Sequence, residues 1–247
     1  MKRLLEIGIE THQKEEILEQ IIKYINNPTH FIHIVSLNPE NMVIAQDNQE
    51  FKIALKQAQI KINDGVGILL ACSILNNLKP PRITGVNLME AIISLCHKCP
   101  IRVVLIGGET NLAKELAECY QKKYPRAQFI GIEGFRKIDQ PTKIEEKTVF
   151  SIISSVRPQL IFAAFGSPAQ ELWFWRNKER LKGIICMGVG QGFNVIAGQV
   201  RRAPAWMRST GLEWLYRLLT QPWRWRRQLR LITFAWLVIK QKFSHDS

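Results

Sequence analysis

The chain of 247 residues is 46% hydrophobic and 22% charged, a globular composition that excludes a disordered, collagen-like or disulfide-scaffold protein. Its length fits one α/β domain, with or without a small appendage, better than two equal domains. Lys and Arg number 34 against 21 Asp and Glu, and the net charge of +13 implies an anionic partner such as nucleic acid, a phosphorylated substrate or a membrane surface.

Short apolar runs alternate with helix-like periodic segments in the first 190 residues or so. The periodic segments predict helices over 14–25, 86–98 and 111–124, and the polar stretch 134–142 predicts a loop. Continuous apolar strands that alternate with helices indicate a Rossmann-like α/β fold, a mainly parallel sheet with helices on both faces. The predicted strands are Leu5–Ile9, Phe31–Val35, Ile101–Ile106, Phe129–Ile132, Leu160–Ala164 and Ile184–Met187.

The composition changes near residue 200. Residues 201–247 contain ten basic and two acidic residues and five of the seven Trp residues. The sequence therefore predicts an α/β domain over 1–199 and a basic, Trp-rich helical appendage over 200–247. Within the appendage, residues spaced four and three apart form one apolar helical face: Trp225, Leu229, Ile232, Trp236 and Ile239. An apolar stripe beside arginines predicts docking on a membrane surface, although the same spacing fits packing on the core or on a second subunit.

Cysteine usage and hydropathy favour a cytoplasmic protein. The odd number of five Cys residues indicates reduced thiols, and the isolated pair Cys96 and Cys99 lacks neighbouring ligands to complete a zinc site. The N-terminal apolar run is too short for a signal peptide, and Leu231–Ile239 is about half of the roughly 20 residues that a spanning helix needs. We expect no transmembrane segment.

Five polar or glycine-rich loops stand where strands lead into helices, the place where α/β folds bind ligands. Alternatives exist for each: Asn38 and Pro39 also fit a helix N-cap followed by proline, and Gly107 and Gly108 also fit a tight turn. The glycine-spaced segment 188–192 resembles a dinucleotide fingerprint, but Phe193 stands where the third spaced glycine would be, and no acidic residue with the expected ribose role follows about twenty residues later. These differences argue against NAD binding. The five loops are 36–40, 63–67, 106–110, 165–171 and 188–192.

Asp64 is the most informative ionisable residue, because it lies between Asn63 and two glycines at a strand end. It fits a turn or cap residue, or a carboxylate that takes a proton from a substrate hydroxyl. No Ser/His/Asp or Cys/His nucleophile set stands out, and no Asp-x-Asp motif is present to hold a metal ion on a diphosphate. We therefore predict no metal and no other cofactor.

Together these loops resemble the WecG/TagA/CpsF family of glycosyltransferases (glycosyltransferase family 26) over about residues 5–230. The resemblance implies an inverting enzyme that moves an N-acetylhexosamine-type sugar, such as N-acetylmannosamine or its uronate, from a UDP-sugar to a polyprenyl-diphosphate-linked amino sugar. Such transfer serves cell-surface polysaccharide or teichoic acid synthesis. The motifs that carry it are SLNPE at 36–40, NDGVG at 63–67, RITG at 82–85, GG at 107–108, FGSPAQELW at 165–173, GVGQGFNVIAG at 188–198 and the tail segment 201–227.

The resemblance also implies residue roles, with Asp64 as the catalytic base. Asn194 stands where many members have Asp near the uracil, and Gln191 replaces a small residue beside it. These two departures bear on which nucleotide sugar is the donor and not on the class of reaction. Ser36 keeps the hydroxyl of the usual Thr. The implied substrate-binding residues are Ser36, Asn38, Arg82, Gly107, Gly108, Gln170 and Asn194, and those implied for the acceptor diphosphate and the membrane are Arg217, Arg224 and Arg227.

The expected partners are the UDP-sugar, the lipid-linked acceptor, the inner face of the cell membrane and a second copy of the chain. The alternative hypothesis is a nucleic-acid-binding protein, because the interleaved Arg and Trp residues of the tail could stack on bases and neutralise phosphates. Against that alternative, the basic excess is confined to the tail and the polar loops of the sheet edge would have no role.

Overall fold

The fold is a parallel sheet between layers of helices. The computed structural model describes residues 2–222 and 225–245, without the side chains of residues 209, 226–228 and 245. The strands are β1 (Arg3–Leu4), β2 (Ile7–Gly8), β3 (Ile32–Leu37), β4 (Ile60–Asn63), β5 (Arg102–Gly107), β6 (Gln128–Ile132), β7 (Leu160–Ala164) and β8 (Ile185–Gly188). The helices are α1 (Lys14–Asn26), α2 (Pro39–Asp47), α3 (Gln49–Gln57), α4 (Val66–Asn76), α5 (Gly85–Ser94), α6 (Leu112–Lys123), α7 (Lys143–Val156), α8 (Ala169–Arg176), α9 (Gly192–Ile196), α10 (Ala205–Ser209), α11 (Glu213–Thr220) and α12 (Trp225–His245).

Six strands form one parallel sheet in the order β4-β3-β8-β7-β5-β6. The register places Leu37 opposite Asn63 and Gly107 opposite Ala164, so the carboxyl ends of neighbouring strands meet at one edge. The three predicted helices correspond to α1, α5 and α6, and the predicted loop 134–142 precedes α7. The predicted Rossmann-like α/β fold is confirmed.

Both faces of the sheet are buried. Ile34 of β3 packs into a cluster with α1, α5 and α6, whereas its neighbour Val35 packs into a cluster with α2, α3, α4 and α12. A third cluster joins Val104 of β5 to α7 and α8. Since successive strand residues point to opposite faces, burial on both sides accounts for the continuous apolar strands of the sequence.

Two strand predictions need correction. The predicted strand Leu5–Ile9 is wrong, because Leu5 and Glu6 have φ values of 47° and 67° and form the turn of a small antiparallel hairpin, β1–β2, outside the main sheet. The sequence prediction also omitted β4, because Lys61 interrupts its apolar run. Lys61 is nevertheless buried, since its ammonium group donates to the Ala58 carbonyl group and lies 3.4 Å from the Glu10 carboxylate.

The last helix shares its core with the body of the protein. Phe234 and Val238 of α12 are buried in the cluster that includes α2 and α4, and the Leu5 N–H donates to the Gln241 side chain at 2.8 Å. The proposed division at residue 200 therefore remains a prediction. Among the described residues, no helix combines the length and apolarity required to cross a membrane.

A neutral histidine is buried in the sheet. His33 of β3 is 1% exposed and lies with its ring centroid 5.6 Å from those of Phe31 and Phe174. Burial, assisted by the charge of Lys61, lowers the pKa of His33 from 6.5 to about 3. Below pH 6.5, His33 therefore binds a proton in the unfolded chain but not in the folded chain. As the pH falls, the free energy of unfolding decreases by about 1.4 kcal/mol per pH unit until the pKa of His33 in the folded chain is reached.

We expect His33→Leu to reduce the acid sensitivity of the fold. Between pH 6.5 and 4.5, the free energy of unfolding in urea should fall less steeply for the variant than for the wild type, by about 1 kcal/mol per pH unit. The same substitution at the exposed His12 is the control and should keep the wild-type slope. Equal slopes for His33→Leu and the wild type would contradict the assignment.

Candidate active site

The loops after β3 and β4 meet at the carboxyl edge of the sheet. The Asp64 N–H donates to the Leu37 carbonyl oxygen at 2.9 Å, which extends the β3–β4 ladder by one residue. A methyl group on Gly85 would lie 3.2 Å from the Ser36 hydroxyl oxygen and 3.5 Å from an Asp64 carboxylate oxygen. Ser36, Asp64 and the start of α5 therefore border the same small space.

Asp64 is partly buried, and its carboxyl group accepts a backbone hydrogen bond from the Gly85 N–H at 3.1 Å. Burial raises the pKa of Asp64 above its ordinary value of 3.8, and the charge of Glu213 acts in the same direction. The Gly85 hydrogen bond and the charges of Arg217 and Arg82 lower it. A carboxylate whose pKa is raised is a better proton acceptor than one in water, so Asp64 suits the role of a general base.

Two of the predicted arginines lie close to the Asp64 loop. The Arg82 Nε donates to the Asp64 carbonyl oxygen at 3.5 Å, and its Nη1 donates to the Arg208 carbonyl oxygen. Arg217 of α11 donates to the Glu213 carboxylate at 2.7 Å. The structure thus brings together a carboxylate and two guanidinium groups, which is the chemistry needed to take up a proton beside a phosphate group.

Two further arginines of the tail have no described side chain. Arg224 lies outside the described residues, and Arg227 belongs to α12 with its side chain outside the described part. Their contacts with the acceptor diphosphate remain predictions.

Asn38 is the N-cap of α2, and its side-chain oxygen accepts from the Asn41 N–H at 2.9 Å. Pro39 follows at the first helical position, as the cap interpretation predicted. Its ring contacts the neighbouring loop so closely that a methyl group on Gly65 or Gly67 would lie 2.8 or 2.7 Å from it. The cap is confirmed, and a substrate contact of Asn38 remains a prediction.

The glycine pair at the end of β5 turns the chain sharply, with φ values of 84° at Gly107, the last strand residue, and 88° at Gly108. A methyl group on Gly107 would lie 2.6 Å from the Phe165 ring, so the packing requires glycine there. The Gly108 N–H already donates to the Ala164 carbonyl oxygen at 2.9 Å. Backbone conformation and packing thus explain why glycine stands at both positions, and their contact with a phosphate remains a prediction.

Gln170 and Asn194 are buried and connect neighbouring loops. The Gln170 side-chain oxygen accepts from the N–H groups of Gly166 and Gly190, each at 3.1 Å. The Asn194 amide donates to the Glu109 carboxylate at 2.8 Å. These bonds hold the loops after β5, β7 and β8 together, and the direct substrate contacts expected of both side chains remain predictions.

The sequence analysis missed Glu213, which is 15% exposed and lies against both Arg82 and Arg217. The available signal was its charge, because residues 201–247 contain only two acids among ten basic residues. It also missed the part played by Gly85 within the RITG motif, since no spacing rule predicts which loop donates to Asp64.

Residues 2–247 match a family model described as Glycosyl transferase WecG/TagA/CpsF family. The chain is also similar to proteins named N-acetylglucosaminyldiphosphoundecaprenol N-acetyl-beta-D-mannosaminyltransferase. The one from Bacillus subtilis (strain 168) is 28% identical over 211 residues, which cover 85% of this chain and 79% of that protein. The one from Staphylococcus aureus (strain NCTC 8325 / PS 47) is 31% identical over 208 residues, covering 84% and 78%. With the match of the family model over nearly its whole length, the chain belongs to the WecG/TagA/CpsF family and is a glycosyltransferase.

Proposed function

We propose that this enzyme transfers N-acetylmannosamine from a UDP-sugar to N-acetylglucosamine on a polyprenyl diphosphate, with inversion, at the cytoplasmic face of the membrane. The two relatives are named for the same sugar and acceptor, which supports this choice. The observation that carries the proposal is the partly buried Asp64 carboxyl group, which the Gly85 N–H orients, whose pKa is raised and which lies close to Arg82 and Arg217.

In the proposed reaction Asp64 accepts the proton of the acceptor hydroxyl while its oxygen attacks the anomeric carbon. The new carbon–oxygen bond forms as the bond between that carbon and the UDP phosphate oxygen breaks on the opposite side. UDP leaves with the bonding electron pair, and nearby arginines stabilise the added negative charge. A single displacement inverts the carbon and needs one base and no covalent partner.

Asp64→Asn tests the base directly. The variant keeps the shape and can still accept from the Gly85 N–H, but it cannot take up a proton, so turnover should fall about 10²–10⁴-fold. Because Asp64 must be ionised to act, wild-type activity should decrease as the pH falls through its raised pKa. The readout is UDP release from UDP-N-acetylmannosamine in the presence of a short-chain lipid diphosphate acceptor.

The control is Asp139→Asn in the loop 134–142, which should retain activity. The melting temperature of Asp64→Asn at pH 7–8 should equal or exceed that of the wild type, because ionising an enclosed carboxyl group above its pKa costs stability. Near-normal turnover of Asp64→Asn would remove Asp64 from the role of base.

We also propose that the reaction needs no divalent metal. Among residues 2–222 and 225–245, no three His, Cys, Asp or Glu side chains lie together in a group that could hold a metal ion. Arg82 and Arg217 offer an alternative source of positive charge for a diphosphate.

Turnover should therefore persist within about twofold in an excess of EDTA, since guanidinium groups remain charged without metal. The measurement is the initial rate of UDP release before and after chelation. Complete loss of activity with EDTA, restored by magnesium or manganese, is the result that contradicts metal independence.

We propose that α12 docks on an anionic membrane surface. Its buried face carries Phe234 and Val238, and the opposite face is exposed. Arg230 of the same helix donates to Glu40 of α2 at 2.6 Å, which attaches the helix to the body of the protein. The exposed apolar side chains, 49 to 69% accessible, are Trp225, Leu229, Ile232, Trp236, Ile239 and Phe243.

Because these six side chains are exposed, the stripe does not pack on the core. Its exposure supports a helix that lies in the membrane interface with Trp in its apolar face. Packing of the same stripe against a second copy of the chain stays the alternative prediction.

Ile232→Glu combined with Trp236→Glu should reduce flotation with anionic vesicles at least tenfold, because two carboxylates would enter the apolar layer. Turnover of a soluble short-chain acceptor should change little. Ile144→Glu on α7, where the side chain is 79% exposed, is the matched control. Wild-type flotation of the double variant would rule out docking through this stripe.

The nucleic-acid-binding alternative gains no support, since both the family and the named relatives are glycosyltransferases.

A further inference from the structure

Glu213 is the first residue of α11 and lies between two arginines from distant parts of the chain. Its carboxylate is 2.7 Å from the Arg217 Nη2 within α11 and 3.5 Å from the Arg82 Nη2 in the loop before α5. The side chains are partly enclosed, with 15% exposure for Glu213, 21% for Arg82 and 37% for Arg217. One carboxylate therefore serves two guanidinium groups.

The surrounding backbone presses this group against the Asp64 loop. Arg82 donates to the carbonyl groups of both Asp64 and Arg208, so it links the loop to the end of α10. Between α10 and α11, Gly211 has a φ of 80°, and a methyl group there would lie 2.5 Å from the Val66 side chain. Glu213 is thus held close to Asp64 by contacts on both sides.

Ion pairs with this exposure add little to stability, because water and salt screen them. A carboxylate between two arginines does, however, restrict where the guanidinium groups can lie. Without it, the two like charges would repel each other and the Arg217 side chain would regain rotamer freedom, whereas Arg82 would keep its bonds to the Asp64 and Arg208 carbonyl groups.

We infer that Glu213 is a positioning residue that holds Arg82 and Arg217 side by side, so that a diphosphate beside Asp64 meets two oriented guanidinium groups. The inference rests on the proposed transfer reaction for its catalytic consequence. The diphosphate belongs either to the nucleotide sugar or to the lipid-linked acceptor, and the kinetics separate the two. In this role Glu213 does not contact the diphosphate and acts only by orienting the two arginines.

The first test is a double-mutant cycle with the full-length protein, UDP-N-acetylmannosamine and a soluble short-chain acceptor. Glu213→Gln should lower kcat/KM about 10- to 100-fold, because small misplacements of charged groups are costly in catalysis. In an Arg217→Gln background the same change should cost less than about threefold, since residues that act through one another are not additive. An increased KM for the donor or for the acceptor identifies which diphosphate the pair serves.

Glu40→Gln is the matched control, because Glu40 also pairs with an arginine of the appendage, Arg230, but on α12. Its effect should multiply with that of Arg217→Gln. The inference fails if Glu213→Gln turns over within twofold of the wild type, or if its effect multiplies fully with that of Arg217→Gln.

The second test needs no turnover and measures two affinities by calorimetry, for UDP and for a soluble short-chain lipid diphosphate, because either ligand could supply the diphosphate. In the wild-type background the effects of Arg82→Gln and Arg217→Gln should be coupled, because the remaining arginine would have Glu213 to itself. In the Glu213→Gln background the two effects should become independent. If the wild type transfers no sugar, the proposed function fails while this coupling still decides the role of Glu213; absence of coupling with both ligands overturns the inference. A circular dichroism spectrum and a melting temperature equal to those of the wild type show that Glu213→Gln is folded.

Discussion

The hydrogen bond from the Asp64 N–H to the Leu37 carbonyl oxygen sets the geometry on which the site depends. It continues the pairing of β3 with β4 past the last strand residue, which fixes the position of the Asp64 backbone at the carboxyl edge of the sheet. Pro39 then packs against Gly65 and Gly67 with no room for a side chain on either. Since both loops are fixed by the same contacts, a shift in one would withdraw Asp64 from the Gly85 N–H.

Residues after 200 contact the Asp64 loop and also carry the exposed apolar stripe of α12. Phe234 and Val238 anchor α12 on α2 and α4, while the opposite face of the same helix presents apolar side chains to the outside. The turn at Gly211 presses on Val66, directly after the Asp64 loop. The C-terminal part of the chain therefore contributes both the exposed stripe and charged side chains near Asp64.

The sequence predicts most of the sheet, because strands buried on both faces are continuous apolar runs. It does not predict β4, where Lys61 is buried by its own hydrogen bonds, nor the hairpin turn at Leu5. The loop context singles out Asp64, whose role as a base stays a prediction, and the structure adds that burial raises its pKa. The pairing of Glu213 with Arg82 is not predictable, because it depends on a contact between residues far apart in sequence that no local pattern encodes.

The FGSPAQE segment shows how a buried carboxyl group can fix the orientation of a neighbouring amide. The Gln170 Nε2 donates to the Glu171 carboxylate at 2.7 Å, which turns the amide oxygen toward the N–H groups of Gly166 and Gly190. A reversed amide would bring its NH₂ group against two N–H donors and its oxygen against a carboxylate. Burial raises the pKa of Glu171, so the residue is costly to ionise. That cost is understandable if the carboxyl group decides the orientation of Gln170, because this amide ties the loop after β7 to the loop after β8.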